Sequence, residues 1–393
     1  MESENFDDIA PYDDSIFPQK LAELVKEPGF EHAVKYILPE TDYQELANQL
    51  VNVKGKEELQ LKIMHPFLDR LAGEYTDGVH CEGRAGLTDK LPRIFMTNHR
   101  DIVLDSAFLN LCFIRAGLRT SEIAIGNNLL IYSWIEDLVR LNKSFIVHRN
   151  IKAPRIALAA AEHLSAYIHY CIERKHQSIW IAQREGRAKD SSDHTQESLI
   201  KMMTLNGNGT PLERLTALHI TPTCISYEFD PNDYLKAREF LMKHKDPDFC
   251  KSQRDDLLSM ETGLLGKKGR VNFSIGLSID NRLCQLLTND SPRSAVLKTA
   301  CRLIDSTIHA GYHIYPINYI AFDHLEGQNR WRDLYTQDDK EKADNYWKAQ
   351  LDKLENKEQY SAQDFEFMLH MMWTMYANPL RNKLMLSEAY VKG

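Results

Sequence analysis

The chain has 393 residues, enough to bury a sizeable core as one large domain or as two to three smaller parts. Its 43% apolar and 26% charged residues are the make-up of an ordinary globular protein. The formal net charge of −8 excludes the basic footprint of a generic nucleic-acid binder and any whole-surface attraction to anionic lipid; it leaves room for a local basic patch.

The N-terminal segment, residues 1–8, is acidic and lacks the charged-then-apolar order of a secretory signal. No apolar run approaches the roughly 18 residues of a membrane span. The expected location is the cytosol or, peripherally, the inner face of a membrane. Residues 1 to about 75 read as short helices. Leu21, Leu24 and Val25 recur at helical spacing, as do Leu61, Ile63, Met64, Phe67 and Leu71, with Pro39 and Gly55 as punctuation.

The pattern then changes. Residues 93–97 read as a short buried strand, 105–115 as a helix stopped by Gly117, and 122–126 and 144–147 as further strands. The clearest helix spans 152–174, with Ile156, Ala159, Ala160, His163, Leu164 and Tyr167 along one side. A strand at 178–182 and a helix at 195–204 follow, then a strand at 219–227 with Pro222 near its start, where a missing N–H is tolerated. A charged stretch, about 231–268, interrupts the alternation before a strand at 270–276. After about 282 the pattern is helical again. The expectation is an α/β protein with a mostly parallel central sheet flanked by helices. Residues 1–75 and 281–393 form helical extensions around a domain at 76–280, the second of them a helical cap over the site.

Seven cysteines, Cys81, Cys112, Cys171, Cys224, Cys250, Cys284 and Cys301, are scattered without C-x-x-C spacing. Their dispersion and odd number point to buried thiols in a reducing compartment and away from a zinc site.

Four segments could carry chemistry. His99 lies between a strand and a helix, where α/β folds place reactive groups. Asp101 and Asp105 follow it. A His with a nearby carboxylate is the minimal unit for general-base work, since the acid fixes the imidazole tautomer and stabilises the imidazolium; either acid could equally cap the helix start. His99-Arg100-Asp101 mimics a protein-kinase catalytic loop, but Ser106 stands where that loop needs Asn, and neither a glycine-rich phosphate loop nor D-F-G is present. Arg149 ends a strand and could offer a planar cation to a phosphate. Arg184-Glu185-Gly186-Arg187, with Lys189 beyond, forms a tight turn with anion-binding character. The strand around Pro222 has a purely structural reading. Taken singly, each segment has a bland reading as a cap, a solvated strand end or a polar loop.

Together and in this order, the His99–Asp105 block, Phe145 to Arg149, Glu185-Gly186-Arg187 and Ile220-Thr221-Pro222 resemble the glycerolipid acyltransferases, which act on glycerol 3-phosphate and 1-acylglycerol 3-phosphate. The resemblance covers about 95–230 and extends at most to 280. It departs from the family in two places. Five residues rather than four separate His99 from Asp105, and Glu185-Gly186-Arg187 is one residue shorter than the family block.

The resemblance implies an acyltransferase domain at 76–280 and a role in phospholipid biosynthesis. His99 is the general base and Asp105, in preference to Asp101, is its partner. Arg149 and Arg187 hold an acceptor phosphate, with Glu185 placing the hydroxyl or organising Arg187 and amides near Gly186 as an oxyanion site. The implied donor is a thioester on coenzyme A or acyl carrier protein, the implied acceptor a phosphorylated glycerol, and no cofactor or metal is needed. The candidate acyl channel runs from Gly126 to Leu141, with Leu129, Leu130, Ile131, Trp134, Ile135 and Leu138. Lys267, Lys268 and Arg270 are candidates for peripheral membrane contact. An amine acceptor giving an aminolipid, or a non-catalytic lipid- or carrier-binding role, are the alternatives.

Overall fold

The structure is a computed structural model that describes residues 5–392, with side chains through 386. Part of the acidic N-terminal segment, residues 1–4, lies outside the described residues.

Seven strands form one sheet: β1 (Val79–Glu82), β2 (Ile94–Thr97), β3 (Glu122–Gly126), β4 (Ser144–Val147), β5 (Ile179–Ala182), β6 (Ile220–Tyr227) and β7 (Val271–Ile275). Their order is β1-β7-β6-β2-β5-β3-β4. The five strands β2 to β6 run parallel to one another, whereas β7 pairs antiparallel with β6 and carries β1 with it. The expected architecture is therefore observed: a mostly parallel sheet flanked by helices, with helices at both ends of the chain. β1 was not anticipated. Its four residues, Val-His-Cys-Glu, carry a short alternation that is half exposed at the sheet edge, too brief to register as a period.

The central strands are buried on both faces, and side chains alternate between them. Ile94 and Met96 of β2, with Ile179 and Ile181 of β5, enter one core. Phe95 and Trp180 enter the other. The helix after β2, Leu104–Arg115, packs on the Phe95 face, and the helix after β5, Glu197–Met203, packs on the Ile94 face. Neighbouring parallel strands whose following helices leave to opposite faces open a crevice at their carboxyl ends. β2 and β5 are such a pair.

Three sequence expectations are corrected. The stretch 231–268 holds two helices, Asp233–Lys245 and Gln253–Leu265. Asp233, Lys236 and Glu239 on the first are buried, with Lys236 paired to Asp230 and Glu239 to Lys189. These charges look solvated in sequence because their partners are supplied by tertiary packing. The apolar side of Pro154–Glu173 is buried only from Leu164 onward, while Ile156 and Ala159 are exposed. Of the cysteines, Cys112, Cys171 and Cys224 are buried, but Cys250 and Cys284 are at the surface. No helix among the described residues is long and apolar enough to cross a membrane.

Candidate active site

β2 delivers His99 into the crevice. Before it, Asn98 is fully buried and bridges to β6: its Nδ2 donates to the Ile225 carbonyl (2.9 Å) and its Oδ1 accepts from the Ile225 amide (2.7 Å). The exit of β2 is thereby fixed before the loop begins.

His99 Nδ1 lies 2.8 Å from Asp105 Oδ2. The same oxygen accepts from the amides of Arg100 (2.6 Å) and Asp101 (3.1 Å). Asp105 is fully buried in the first turn of its helix, where the positive end of the helix dipole favours a carboxylate. Asp101 does different work. Its Oδ1 accepts from the amides of Val103 (2.9 Å) and Leu104 (2.8 Å) and so caps that helix. The resemblance preferred Asp105 to Asp101 as the partner of His99; in the fold Asp105 faces the imidazole and Asp101 starts the helix. The turn at Asp101 lets two loop amides and the imidazole converge on one carboxylate oxygen. With Nδ1 engaged, Nε2 is the ring nitrogen left without a bond among the described residues. The Trp180 ring meets the imidazole edge to face, with centroids 5.7 Å apart.

Burial and the neighbouring Asp105 charge raise the Asp101 carboxyl, against the pull of Lys268. Burial lowers the Lys268 ammonium to about 8, against the pull of Asp101 and Asp230. Tyr227, buried at the end of β6, is held far above its usual range by burial and by the charges of Asp105 and Asp101. Neither Tyr227 nor Lys268 stood out in sequence as part of this corner, because both come from elements more than a hundred residues away.

Arg100 is a second anchor that the sequence reading gave no role. Its guanidinium forms a buried two-pronged pair with Asp193, with NH1 2.9 Å from Oδ1 and NH2 on Oδ2. Its carbonyl accepts from Lys236 Nζ (3.0 Å). Asp193 also receives the Tyr312 hydroxyl on its carboxylate and His309 Nε2 on its carbonyl (2.9 Å). Asp193 and Ser191 sit in the left-handed region, at φ 49° and 58°, which a non-glycine residue occupies only when its surroundings over-determine it. The His99 loop and the loop after β5 are thus locked together through one buried ion pair.

The other predicted residues lie on this crevice. The Arg149 amide donates to Asn127 Oδ1 (2.9 Å), and its guanidinium lies beside Asn128 (3.5 Å) and Glu185 (3.8 Å). Gly126 makes room for it: a Cβ there would sit 2.7 Å from the guanidinium. Burial lowers the Arg149 pKa. The Glu185 amide is committed to Gln196 Oε1 (3.0 Å), whereas Gly186, at φ 68°, turns the chain. Arg187 carries one guanidinium nitrogen, Nη1, that is buried without a hydrogen-bond partner among the described residues. Pro222 lies within β6 opposite Met96 and its carbonyl accepts from the Gly276 amide (2.9 Å), a structural position.

His99, Arg149, Arg184, Glu185, Gly186 and Arg187 line one cavity of about 2340 Å³. Small-molecule pockets run from roughly 300 to 1,000 Å³, so this space can admit more than one ligand or a long chain. Its walls are largely apolar. Leu129, Leu130, Trp134, Ile135 and Leu138 of the expected channel line it, and Ile131 does not. The facing wall comes from the N-terminal helices, through Leu21, Leu24, Phe30, Val34 and Ile63 among others. A C-terminal cap is therefore corrected: among the described residues none beyond Leu264 lines the cavity. Helices Asp280–Leu286 and Arg293–Ala310 pack into the sheet core with Ile94 and Met96, whereas the helices from Pro316 onward form their own core around Trp347, Met372 and Tyr376, against helix Asp233–Lys245.

No family model matches the sequence, and no curated protein does. Among solved structures, the chain is similar to the 1-acyl-sn-glycerophosphate (LPA) acyltransferase PlsC from Thermotoga maritima. The identity is 13%, the TM-score is 0.35, and the match covers 75% of this chain and 97% of that one. A likeness this distant says nothing about chemistry.

Proposed function

We propose that this protein moves a fatty acyl group from a thioester on coenzyme A or acyl carrier protein to a hydroxyl of glycerol 3-phosphate or its 1-acyl derivative. The observation that carries this reading is convergence: His99, held by the buried Asp105, Arg187 with its unpartnered guanidinium nitrogen and a second arginine, Arg149, line one large apolar cavity.

His99 Nε2 takes the hydroxyl proton as the acceptor oxygen bonds to the thioester carbonyl carbon. The carbon–sulfur bond breaks as the tetrahedral intermediate collapses, and the leaving thiolate recovers the proton from the imidazolium. Asp105 stays ionised, orienting the ring through Nδ1 and stabilising its charged form. Arg187 and Arg149 hold the acceptor phosphate; a guanidinium offers the paired donors that phosphate accepts. Glu185, beside Arg149, orients that guanidinium. The amide of Gly186 is the candidate donor to the developing oxyanion. The acyl chain lies between the channel residues Leu129 to Leu138 and the N-terminal helices.

The purified full chain is incubated with a long-chain acyl thioester on each carrier and with glycerol 3-phosphate, its 1-acyl derivative or an amino acid, and thiol release and lipid product are followed. Release that depends on a phosphorylated glycerol is expected. Preference for the amine would redirect the reading to an aminolipid, and no release with any acceptor would overturn it in favour of a binding role.

A further inference from the structure

Helix Pro154–Glu173 carries an apolar side along its length, yet the fold covers only part of it. From Leu164 onward the side is packed: Leu164, Tyr167, Ile168 and Cys171 are buried. At the other end Ile156 is 61% exposed and Leu158 51% exposed, and Ala153, Pro154 and Ala159 are exposed around them. Two large aliphatic residues two positions apart point in different directions on a helix. The end of the helix therefore protrudes.

Its position is informative. Ile151, Ala157, Ala160 and Ala161 line the apolar cavity. Tyr132, 52% exposed, lines it as well. Tyr132 follows the Asn127–Leu129 turn, which the Asn127 side chain ties to Arg149. The exposed apolar groups thus sit at the lip of the cavity.

The exposed start of the helix is basic, against the charge of the whole chain. The chain carries −8, but no acid occurs between Asp137 and Glu162. Lys152 and Arg155 are exposed there and form no ion pair or hydrogen bond among the described residues. The cations suspected from sequence, by contrast, are occupied: Lys268 is buried and donates to the Gly266 carbonyl (2.6 Å), Lys267 donates to the Glu74 carbonyl, and Arg270 is paired with Glu228.

We propose that the protruding start of helix Pro154–Glu173, with Tyr132, is a docking surface for a bilayer that carries anionic lipid. Aliphatic groups and an aromatic ring that can enter the interface, with unpaired cations beside them, supply the two contributions to interfacial binding: buried apolar area and attraction to anionic lipid. A second copy fits less well, because a two-fold contact would bring the same cations against one another. Docked this way, the cavity mouth opens toward the hydrocarbon from which a lipid enters or to which one leaves. The surface itself does not depend on the acyl-transfer reading.

The test is co-sedimentation of the intact chain with vesicles of phosphatidylcholine alone or of equal parts phosphatidylcholine and phosphatidylglycerol. Binding to the anionic vesicles is expected, weakened by salt. Replacing Lys152 and Arg155 by Gln lowers partitioning about fivefold per charge at low ionic strength. Ile156→Ser with Leu158→Ser lowers it further, with an unchanged melting temperature. Leu277→Ser, at a site 87% exposed in another loop, leaves it unchanged. Absence of wild-type binding, wild-type binding by the Ile156/Leu158 variant, or equal loss in Leu277→Ser overturns the proposal. So does an Ile156/Leu158-dependent dimer, or capture of an acidic carrier protein by the Lys152/Arg155 pair without vesicle binding. Because binding is read without turnover, an inactive protein that still binds vesicles would separate the fate of this surface from that of the proposed reaction.

Discussion

Two groups of cations read alike in sequence and are treated in opposite ways by the fold. Arg149 and Arg187 follow strands and reach the cavity under-partnered: Glu185 stands 3.8 Å from the first, and NH1 of the second has no partner among the described residues. Lys267, Lys268 and Arg270, just before β7, are spent on the Glu74 and Gly266 carbonyls and on Glu228. A cation is available to a ligand only where the fold has not already supplied its acceptor. Neither charge density nor position after a strand reveals which case holds.

The contrast can be broken at its centre first. His99→Ala is expected to lower kcat about 10²–10⁴-fold with little change in melting temperature, and retained turnover would remove the reason to call this crevice an active site. Asp105→Asn should likewise act on kcat. Asp101→Ala should instead cost about 1 kcal/mol of stability as a lost cap, measured by denaturant unfolding. Next, Arg187→Met should raise KM for the phosphorylated acceptor roughly 10- to 100-fold, the scale of a lost charged hydrogen bond, and leave the donor KM alone. Arg187→Lys should restore part of it, since the charge returns without the planar fork.

On the occupied side, Lys268 should report in stability rather than turnover. Its folded pKa of about 8 lies below the roughly 10.4 of an unfolded lysine, so between these values the unfolded chain binds the extra proton. Stability from this group is therefore lowest below about pH 8 and rises as pH climbs toward about 10.5, on the order of 2–3 kcal/mol. Unfolding titrations of wild type and Lys268→Met should differ by that slope, and parallel curves would show the ammonium to be freely solvated. Arg270→Ala should do least. Its half-exposed pair with Glu228 is worth at most about 1 kcal/mol, and acceptor KM should not move.

Much of the framework was legible in the sequence. β3 and β4 lie where the apolar runs place them, and β2, β5, β6 and β7 within a residue or so at either end, because a strand buried on both faces must be a short unbroken apolar run. The helices at both ends were legible from their spacing. The anchors around His99 were not. Arg100 reads as part of a kinase decoy, and its acceptor Asp193 is 93 residues away on a loop that only the fold brings beside it. The apolar side of Pro154–Glu173 was visible, but not that its first turns would be left uncovered.

By itself the sequence determined the strand–helix alternation and the order of His99, Arg149 and Glu185-Gly186-Arg187 along the chain. It did so because burial period and strand-end position are local properties of the chain. The folded structure decided three things, the first of which the sequence had only favoured. Asp105 rather than Asp101 meets the imidazole, since two loop amides turn toward one carboxylate while the other caps a helix. The N-terminal helices rather than the C-terminal ones wall the cavity. At the cavity, Arg187 keeps a guanidinium nitrogen without a partner among the described residues, while Lys267, Lys268 and Arg270 are consumed. The first depends on how a short loop is turned between a fixed strand and a helix, and the other two on which groups meet across long sequence separations, since a hydrogen bond or an apolar contact is defined only by that meeting.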